Sequence, residues 1–343
     1  MLTEVIIMLT NRQLEILQVI VDDFITSAQP VGSRQISKKE HITYSPATIR
    51  NEMADLEEMG LLEKTHTSSG RVPSDKGYRF YVDHLLQPKR IRKDELMQIQ
   101  SVFTDQHAEI EQIIRKSATI LSQLTSYTSI MLGPDVQSHR IKKISIVSLT
   151  EDTAVAIIVT DQGHVEHRTF AIPERFSASD VEKAVTILNE RLYNVPLEHF
   201  AVSLEAEVQR LLQQHIRAAD EFVASLIQQE PRQTKLFYGG KTNMLRQPEF
   251  HDVNKLRMLM DMMETRQQVY ELFTPNEAGI HIRIGSENEQ LAMENCSVIT
   301  ATYQAGESTG AIAIIGPTRM DYERVISLVD LVRHDLTRAF TKG

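Results

Sequence analysis

The chain has 343 residues, of which 41% are apolar, so two or three domains are expected rather than a single globule. Its one cysteine, Cys296, excludes an intrachain disulfide and a cysteine-based metal cluster. The net charge of −9 argues against a protein that coats nucleic acid along its whole length, but residues 9–93 hold 13 Lys and Arg against 11 Asp and Glu, whereas residues 94–343 hold 24 against 34.

The first residues carry no targeting signal. They are too short and too acidic for a signal peptide, and no stretch of the chain approaches the roughly 20 apolar residues that span a bilayer. A cytoplasmic protein without a membrane segment is therefore expected. Because Met1-Leu2-Thr3 recurs as Met8-Leu9-Thr10, we hypothesise that translation can begin at Met8 as well as at Met1, with residues 1–7 as an extension that has no fixed structure.

Two short helices are predicted next. Thr10 can cap the first, and Gln13 three residues later completes a capping box. Pro30 ends this helix because proline cannot continue the hydrogen-bond ladder. Ser33 is a natural N-cap for the second helix, which we expect to end near His41.

The third predicted helix has the clearest signals. Ser45 serves as N-cap, Pro46 takes the first helical position, and Gly60 closes the helix in the left-handed conformation. The exposed face of its first two turns carries residue types that read base edges, since Arg matches guanine, Asn matches adenine, and Ala or a Thr methyl packs on thymine. These candidate DNA contacts are Ser45, Ala47, Thr48, Arg50 and Asn51. The second half is acidic, so contact should be confined to the N-terminal turns, as in helix-turn-helix proteins.

A hairpin follows the third helix. Residues 61–65 and 71–72 can pair as strands around a Ser/Gly tip, which is typical of a wing. Together with Arg34 of the second helix, the wing supplies further candidate DNA contacts: Lys64, Ser69, Gly70 and Arg71. Lys76 and Arg79 lie where the next helix could also meet phosphates. Three helices followed by a hairpin are the order that a winged-helix DNA-binding module requires.

The rest of the chain mixes helices and strands. Residues 87–93 are predicted to form a basic linker at a domain boundary. A second DNA-contacting patch in this segment is an open alternative. The periodicity then predicts, in chain order, a long helix over 94–131, an antiparallel meander within 141–170, helices over 181–229, a strand at 236–238, a helix over 252–273, strands at 280–284, 296–302 and 310–315, and a helix over 321–340. Sheet on both sides of a helical block predicts one α+β domain with an insertion.

The sequence offers no catalytic chemistry. It has no Walker loop, dinucleotide fingerprint, HExxH, GxSxG or cysteine zinc spacing. His164 and His167 beside Glu166 hint at a metal, but in a strand the two imidazoles would point to opposite faces. Cys296 fits a small buried apolar residue better than a nucleophile. We therefore expect no enzyme, no cofactor and no metal.

Seven motifs together resemble one family, the heat-inducible transcription repressors HrcA, over essentially the full length. They are PVGSR at 30–34, SPATIRNEM at 45–53, SGRVPS at 69–74, GYRFYVD at 77–83, YGGKTNML at 238–245, IGSEN at 284–288 and GPTRMDY at 316–322. The combination is specific, whereas no single motif is. The extension over residues 1–7 is the main departure and bears on the start site.

The resemblance implies an α+β multidomain fold. A winged helix would occupy residues 1–87, a GAF-like α+β domain 88–176 and 233–343, and an inserted helical dimerising domain 177–232. The family functions as a homodimer on an inverted-repeat double-stranded DNA operator upstream of chaperone operons, and a GroEL-type chaperonin keeps it active. Two alternatives stay open: a repressor controlled by a small molecule in the GAF-like domain, and a scaffold whose winged helix binds only protein.

Overall fold

The computed structural model describes residues 9–65, 70–87, 89–104, 109–134, 139–173, 176–215, 219–227, 235–273, 279–306 and 308–341. The chain divides into two compact units. The first comprises Met1–Gly133, Leu236–Tyr303 and Gly310–Gly343, and the second comprises Pro134–Lys235 and Gln304–Thr309. Within the described residues, no helix is both long enough and apolar enough to cross a bilayer.

The N-terminal part of the first unit is a winged helix, as the sequence predicts. Its elements are α1 (Asn11–Ser27), α2 (Ser33–Ile36), α3 (Pro46–Glu58), β1 (Leu62–Lys64), β2 (Arg71–Pro73) and α4 (Asp75–His84). The two strands pair antiparallel, with Lys64 opposite Arg71. The predicted capping box at the start of α1 is confirmed, since the Thr10 hydroxyl accepts from the Gln13 amide at 3.2 Å and the Thr10 amide donates to the Gln13 side chain at 2.9 Å.

The second helix is shorter than predicted and begins differently. Its N-cap is Gly32, while Ser33 lies inside the helix, which ends at Ile36 instead of near His41. Val31 exchanges two backbone hydrogen bonds of 2.9 Å with Arg71, and this bridge holds the chain extended up to Gly32. The helix therefore begins one residue earlier than predicted, directly after the segment that pairs with the wing, which local capping propensity alone does not reveal.

The third helix begins and ends as its capping residues predict. The Ser45 hydroxyl accepts from the Thr48 amide at 3.1 Å, and Pro46 occupies the first turn. Gly60 has φ +74° and follows Met59, the last residue of the helical conformation. Its amide donates to the Glu57 carbonyl and the Leu61 amide to the Leu56 carbonyl, both at 2.9 Å. This pair of bonds is a Schellman motif, which needs a left-handed residue where glycine stands.

The remaining helices and strands continue in chain order as follows: α5 (Lys93–Ser101), α6 (Ile110–Thr125), β3 (Thr128–Leu132), β4 (Ile141–Ser148), β5 (Thr153–Thr160), β6 (Val165–Ala171), α7 (Ala178–Leu192), α8 (Phe200–Ser203), α9 (Gln209–His215), α10 (Ala219–Ile227), β7 (Leu236–Gly239), α11 (Val253–Glu264), α12 (Arg266–Tyr270), β8 (Ile280–Ile284), β9 (Cys296–Ala305), β10 (Ser308–Pro317) and α13 (Tyr322–Thr341). The strands and the final helix predicted for residues 236–340 are confirmed to within a few residues.

The single long helix predicted over 94–131 is wrong. The chain forms α5 and α6 there, and α6 stops at Ser126, which adopts a left-handed φ of 60°. Residues 128–132 become β3, which pairs with β7 on one side and β10 on the other. Apolar residues at 130–132 fit either a helix or a strand, and the two neighbouring strands decide the outcome.

The first unit contains a five-stranded sheet in the order β7-β3-β10-β9-β8. Alternate residues of β10 face opposite sides of the sheet. Ile312 and Ile314 belong to the apolar cluster that includes α6 and α13, whereas Ala313 and Ile315 belong to the cluster that includes α11 and α12. Buried apolar side chains therefore cover both faces of this sheet.

The second unit contains the predicted meander as a three-stranded antiparallel sheet in the order β4-β5-β6. Ala154, Ala156 and Ile158 of β5 are buried in one cluster with Leu188 of α7 and Phe222 of α10. The meander thus shares its apolar cluster with helices that were expected to form the insertion. Alternation identifies such strands but not the surface that covers them. The limits expected for the family domains remain a prediction.

The winged helix and the five-stranded sheet share one apolar cluster in the first unit. Polar contacts reinforce it: Arg79 donates from Nε to Glu287 at 2.8 Å and from Nη2 to the Ile282 carbonyl at 2.6 Å. The Asp75 carboxylate accepts from the Ser286 amide at 2.8 Å. Helix α4 is therefore fixed against edge strand β8, so the winged helix is packed against the sheet and is not connected to it by a linker alone.

Gly239 allows a close approach that no other residue permits. A Cβ at this position would lie 2.1 Å from the Ala118 carbonyl oxygen of α6. We expect Gly239→Ala to lower the free energy of unfolding by roughly 1–3 kcal/mol, because the backbone of β7 must move away from α6. Urea unfolding followed by circular dichroism measures this. The control is Gly32→Ala, since a Cβ there meets nothing within 4 Å; it should cost less than Gly239→Ala, because it changes only the N-cap residue of α2. An equal loss in both variants would contradict the packing argument.

Candidate nucleic-acid interface

Helix α3 presents one exposed stripe and one buried stripe. Ile49, Met53 and Leu56 are buried against the rest of the winged helix. Ala47, Arg50, Asn51 and Ala54 lie on the opposite side and are exposed. Three of the predicted base-reading residues therefore share one solvent-facing surface at the N-terminal half of the helix, because positions three and four apart lie on one helical face.

Arg50 is available for a ligand. Within the described part of the chain, no carboxylate lies within ion-pairing distance of its guanidinium, and Arg50 is exposed. An unpaired guanidinium presents its donors in a fixed fork that suits guanine or phosphate. Asn51 is exposed one residue further on and offers both a donor and an acceptor, as adenine recognition requires.

Ser45 and Thr48 are bound to each other at the start of α3. Their hydroxyl oxygens lie 3.0 Å apart, and the Ser45 hydroxyl also accepts from the Thr48 amide. Ser45 is exposed and Thr48 is half-buried. Both predicted contacts therefore maintain the helix N-terminus, and this terminus is itself favourable for a phosphate because its amides and dipole attract anions.

The acidic second half of α3 is partly neutralised inside the protein. Glu52 pairs with Arg12 of α1 at 3.0 Å, and Glu57 pairs with Arg71 of the wing at 2.6 Å. Arg12 also lies over the Tyr44 ring, 5.5 Å from its centroid. Sequence reasoning missed Arg12, because the pair joins two helices and no local spacing signals it. These contacts lower the repulsion between α3 and phosphate and fix α3 against its neighbours.

The wing residues divide into a structural group and an exposed group. The Arg71 side chain is only 15% exposed and is committed to Glu57. A Cβ on Gly70 would lie 2.9 Å from Pro30, so Gly70 packs against the turn before α2. Lys64, opposite Arg71, is exposed. The predicted contact Ser69 lies outside the described residues, as does the rest of the wing tip.

The other basic residues near α3 differ in whether they form ion pairs or hydrogen bonds within the protein. Arg34 and Lys38 are exposed, whereas Lys39 pairs with Asp23 at 2.5 Å. Lys76 donates to the Met59 carbonyl at 2.9 Å and so caps the C-terminus of α3. Arg79, expected near phosphate, instead binds β8 through the contacts described above. Among the predicted contacts, the exposed side chains on the winged helix therefore include Arg34, Arg50, Asn51 and Lys64. Arg71 and Arg79 instead form ion pairs within the protein.

The one cysteine is inert. Cys296 is fully buried, and burial raises the pKa of its thiol to about 12, so the thiol is protonated at neutral pH and is a poor nucleophile. Among the described residues, no group of three or more His, Cys, Asp and Glu side chains converges as a metal site would require. The exposed polar chemistry of α3 is therefore the best-defined candidate site.

The different roles of Lys64 and Arg71 can be separated by substitution. We expect Arg71→Ala to lower the free energy of unfolding by about 1–2 kcal/mol, because it leaves half-buried Glu57 without its partner. Lys64→Ala removes the same charge from the facing strand and should change stability by less than about 0.5 kcal/mol. Urea unfolding of both variants provides the comparison. Equal stability of the two would show that the Arg71–Glu57 pair contributes nothing to the fold.

Comparison with known proteins covers nearly the whole chain. Residues 8–83 match the family profile described as "Winged helix-turn-helix transcription repressor, HrcA DNA-binding", and residues 111–326 match "HrcA protein C terminal domain". The chain is 68% identical over 340 residues to a heat-inducible transcription repressor HrcA of Lysinibacillus sphaericus, covering 98% of this chain and 99% of that one. It is 54% identical over 338 residues to the protein of the same name from Bacillus pumilus (strain SAFR-032), covering 97% and 98%.

A solved structure shares the fold. A crystal structure of a hypothetical protein at 2.2 Å resolution matches with a TM-score of 0.71 and 23% identity, and the match covers 97% of this chain and 99% of that one. The named relatives are transcription repressors and not enzymes. The exposed stripe of α3 lies inside the matched DNA-binding region. The chain belongs to the HrcA family of heat-inducible transcription repressors.

Proposed function

We propose that the protein is a dimeric cytoplasmic repressor of heat-shock chaperone operons, which binds an inverted-repeat operator and is kept active by a GroEL-type chaperonin. The observation that carries the operator part is the exposed stripe of Ala47, Arg50 and Asn51 at the N-terminal half of α3. This is the part of a recognition helix that reaches base edges in the major groove. The basic excess of residues 9–93 supplies only a small net attraction, so each module alone binds DNA weakly and two modules on two half-sites bind better.

Sequence discrimination should depend on Arg50 and Asn51. We expect Arg50→Ala or Asn51→Ala to cost roughly 1–3 kcal/mol of discrimination between an inverted-repeat operator and scrambled DNA, because each good base contact contributes that much. Gel-shift titration at one fixed salt concentration measures it. Arg257→Ala is the matched control, since Arg257 is exposed on α11 outside the winged helix.

Two outcomes of that titration would count against base reading. If Arg50→Ala and Asn51→Ala both keep full discrimination, as the control is expected to, the winged helix reads no bases and the protein-binding scaffold becomes the better explanation. If these two variants weaken binding to both DNAs equally while the control does not, their contacts are to phosphate only.

An apolar face on the second unit supports the dimer. On β5, Val155, Ile157 and Val159 alternate with the buried residues and are half-exposed. Val147 stands directly opposite Val155, and Val165 directly opposite Val159; these two are 48% and 55% exposed. These five side chains form an apolar stripe along β5 that extends to one residue on each neighbouring strand, and an exposed stripe of this kind is typical of an interaction surface. Lys143 and Ser145 of β4 and His167 and Thr169 of β6 stand opposite the remaining β5 positions and give the stripe a polar rim. A second copy related by a twofold axis would cover it with the same surface.

A charge at the centre of this face should dissociate the dimer. We expect Ile157→Asp to convert the protein to monomers, because the carboxylate would be desolvated between two apolar faces. Thr186→Asp introduces the same charge on α7, which packs on the opposite face of the sheet, and should leave the dimer intact. Sedimentation velocity measures both. A dimeric Ile157→Asp variant with native circular dichroism would place the dimer contact elsewhere.

The chaperonin part of the proposal has a thermodynamic basis. A loss of about 1–2 kcal/mol of stability can change the folded population several-fold. The folded fraction of a repressor that needs assistance to fold therefore depends on the concentration of free chaperonin. The name of the relatives, heat-inducible repressor, agrees with this. Operator occupancy should rise when a GroEL-type chaperonin and ATP are added to briefly heated protein. Unchanged occupancy would remove the chaperonin from the proposal without affecting operator binding.

The alternative of a metabolite in the interior of the GAF-like domain has less support. Described side chains on both faces of the five-stranded sheet are buried and packed, including Met244, Met262, Met263 and Met293 on the side of α11 and α12. Methionine side chains fill irregular space well. A ligand on either face would have to displace them.

A further inference from the structure

Residues 89–92, which follow the winged helix, line a pocket of about 240 Å³ with the N-terminal parts of α5 and α13. Four of its lining side chains are cationic: Lys89, Arg90, Arg92 and Arg324. Glu95 is the single carboxylate among the described lining residues. The pocket lies entirely within the first unit and is separate from the candidate DNA contacts of α3.

The carboxylate of Glu95 is already neutralised and acts as an anchor for two of the cations. Glu95 is 2% exposed, and its carboxylate lies 3.2 Å from the Arg92 guanidinium and 2.5 Å from that of Arg324. It also accepts from the Arg92 amide at 3.0 Å. A buried carboxylate held in this way keeps two guanidinium groups close together despite their mutual repulsion.

The remaining two cations differ in how they are compensated. The Lys89 ammonium lies 3.0 Å from Asp321 and 3.4 Å from Glu323, neither of which lines the pocket. Arg90 is exposed and has no carboxylate within ion-pairing distance in the described part of the chain. The Arg92 guanidinium also lies 3.4 Å from the Asp94 carboxylate, and the Arg324 guanidinium donates to the Leu124 carbonyl at 3.0 Å. The positive charge that no described carboxylate pairs is therefore that of Arg90, whose guanidinium has its donors left for an anion beside those of Arg92 and Arg324.

We propose that this pocket binds a small phosphate-bearing anion. Guanidinium groups bind phosphate through paired, charge-assisted hydrogen bonds, which makes arginine the residue of choice for this ligand. The volume is smaller than that of pockets for drug-sized ligands, about 300–1,000 Å³, and suits one or two phosphate groups. A concave pocket of this size favours a free anion over a phosphate of the convex DNA backbone, although both have the same chemistry.

The test uses the full-length protein without DNA, so it does not depend on operator binding. Inorganic pyrophosphate is titrated into the protein by isothermal calorimetry in phosphate-free, low-salt buffer. We expect saturable binding of one pyrophosphate per chain. Arg90→Gln should weaken it about 10- to 100-fold, as expected for loss of hydrogen bonds to a charged group, whereas Arg90→Lys should weaken it less because the charge remains. Arg90 is the informative position because it anchors no buried carboxylate, so the variants should fold.

The controls decide between a site and general charge attraction. Arg257→Gln makes the same change of charge on exposed α11 and should leave pyrophosphate affinity unchanged. Absence of saturable binding, or equal weakening by Arg257→Gln, would overturn the proposal. A separate arm measures operator affinity against salt: if pyrophosphate does not bind but Arg90→Gln lowers the slope of log K against log salt by about 0.9, the residue contacts a DNA phosphate and the free-anion site is wrong.

Discussion

The contacts of Arg79 join the winged helix to the rest of the first unit. Its guanidinium binds Glu287 and the carbonyl of Ile282, while Asp75 one turn earlier binds the Ser286 amide. Apolar packing alone would let α4 slide along the sheet, because the hydrophobic effect has no direction. The ion pair and the backbone bonds give α4 one register against β8. Since α1 and α3 pack on the same core as α4, these contacts also set the direction in which α3 faces.

Ion pairs also determine which basic residues of the winged helix are left without a carboxylate partner. Arg12, Lys39, Arg71 and Arg79 are paired with carboxylates of their own chain, whereas Arg34, Arg50 and Lys64 are exposed on the winged helix. Before α5, Lys89 is likewise paired with Asp321, whereas Arg90 has no carboxylate within ion-pairing distance among the described residues. A net excess of only two positive charges is therefore concentrated in a few uncommitted side chains. Under the proposed function, discrimination between DNA sequences then depends more on individual contacts than on the overall charge.

Local sequence signals predicted much of the DNA-binding part. The capping box at Thr10, the Ser45-Pro46 start of α3 and its Gly60 end all depend on groups within six residues of one another, so their chemistry can be read from the chain directly. Prediction failed where a distant partner decided the result. The helix predicted to follow an N-cap at Ser33 instead begins at Ser33, directly after Val31 pairs with the wing, and residues 128–132 are a strand because β7 and β10 flank them.

The sequence by itself determined the order of elements, the N-terminal turns of α3 as the candidate reading surface, and, through its motifs, the family. Only the tertiary structure decided which members of that surface are free. Arg50 and Asn51 are exposed, Arg71 is paired with Glu57 across 14 positions of the chain, and Arg79 with Glu287 across 208. The physical reason is range: caps and turns are formed by neighbours in the chain, whereas the pairing of a charge depends on which carboxylate folding brings within a few ångströms.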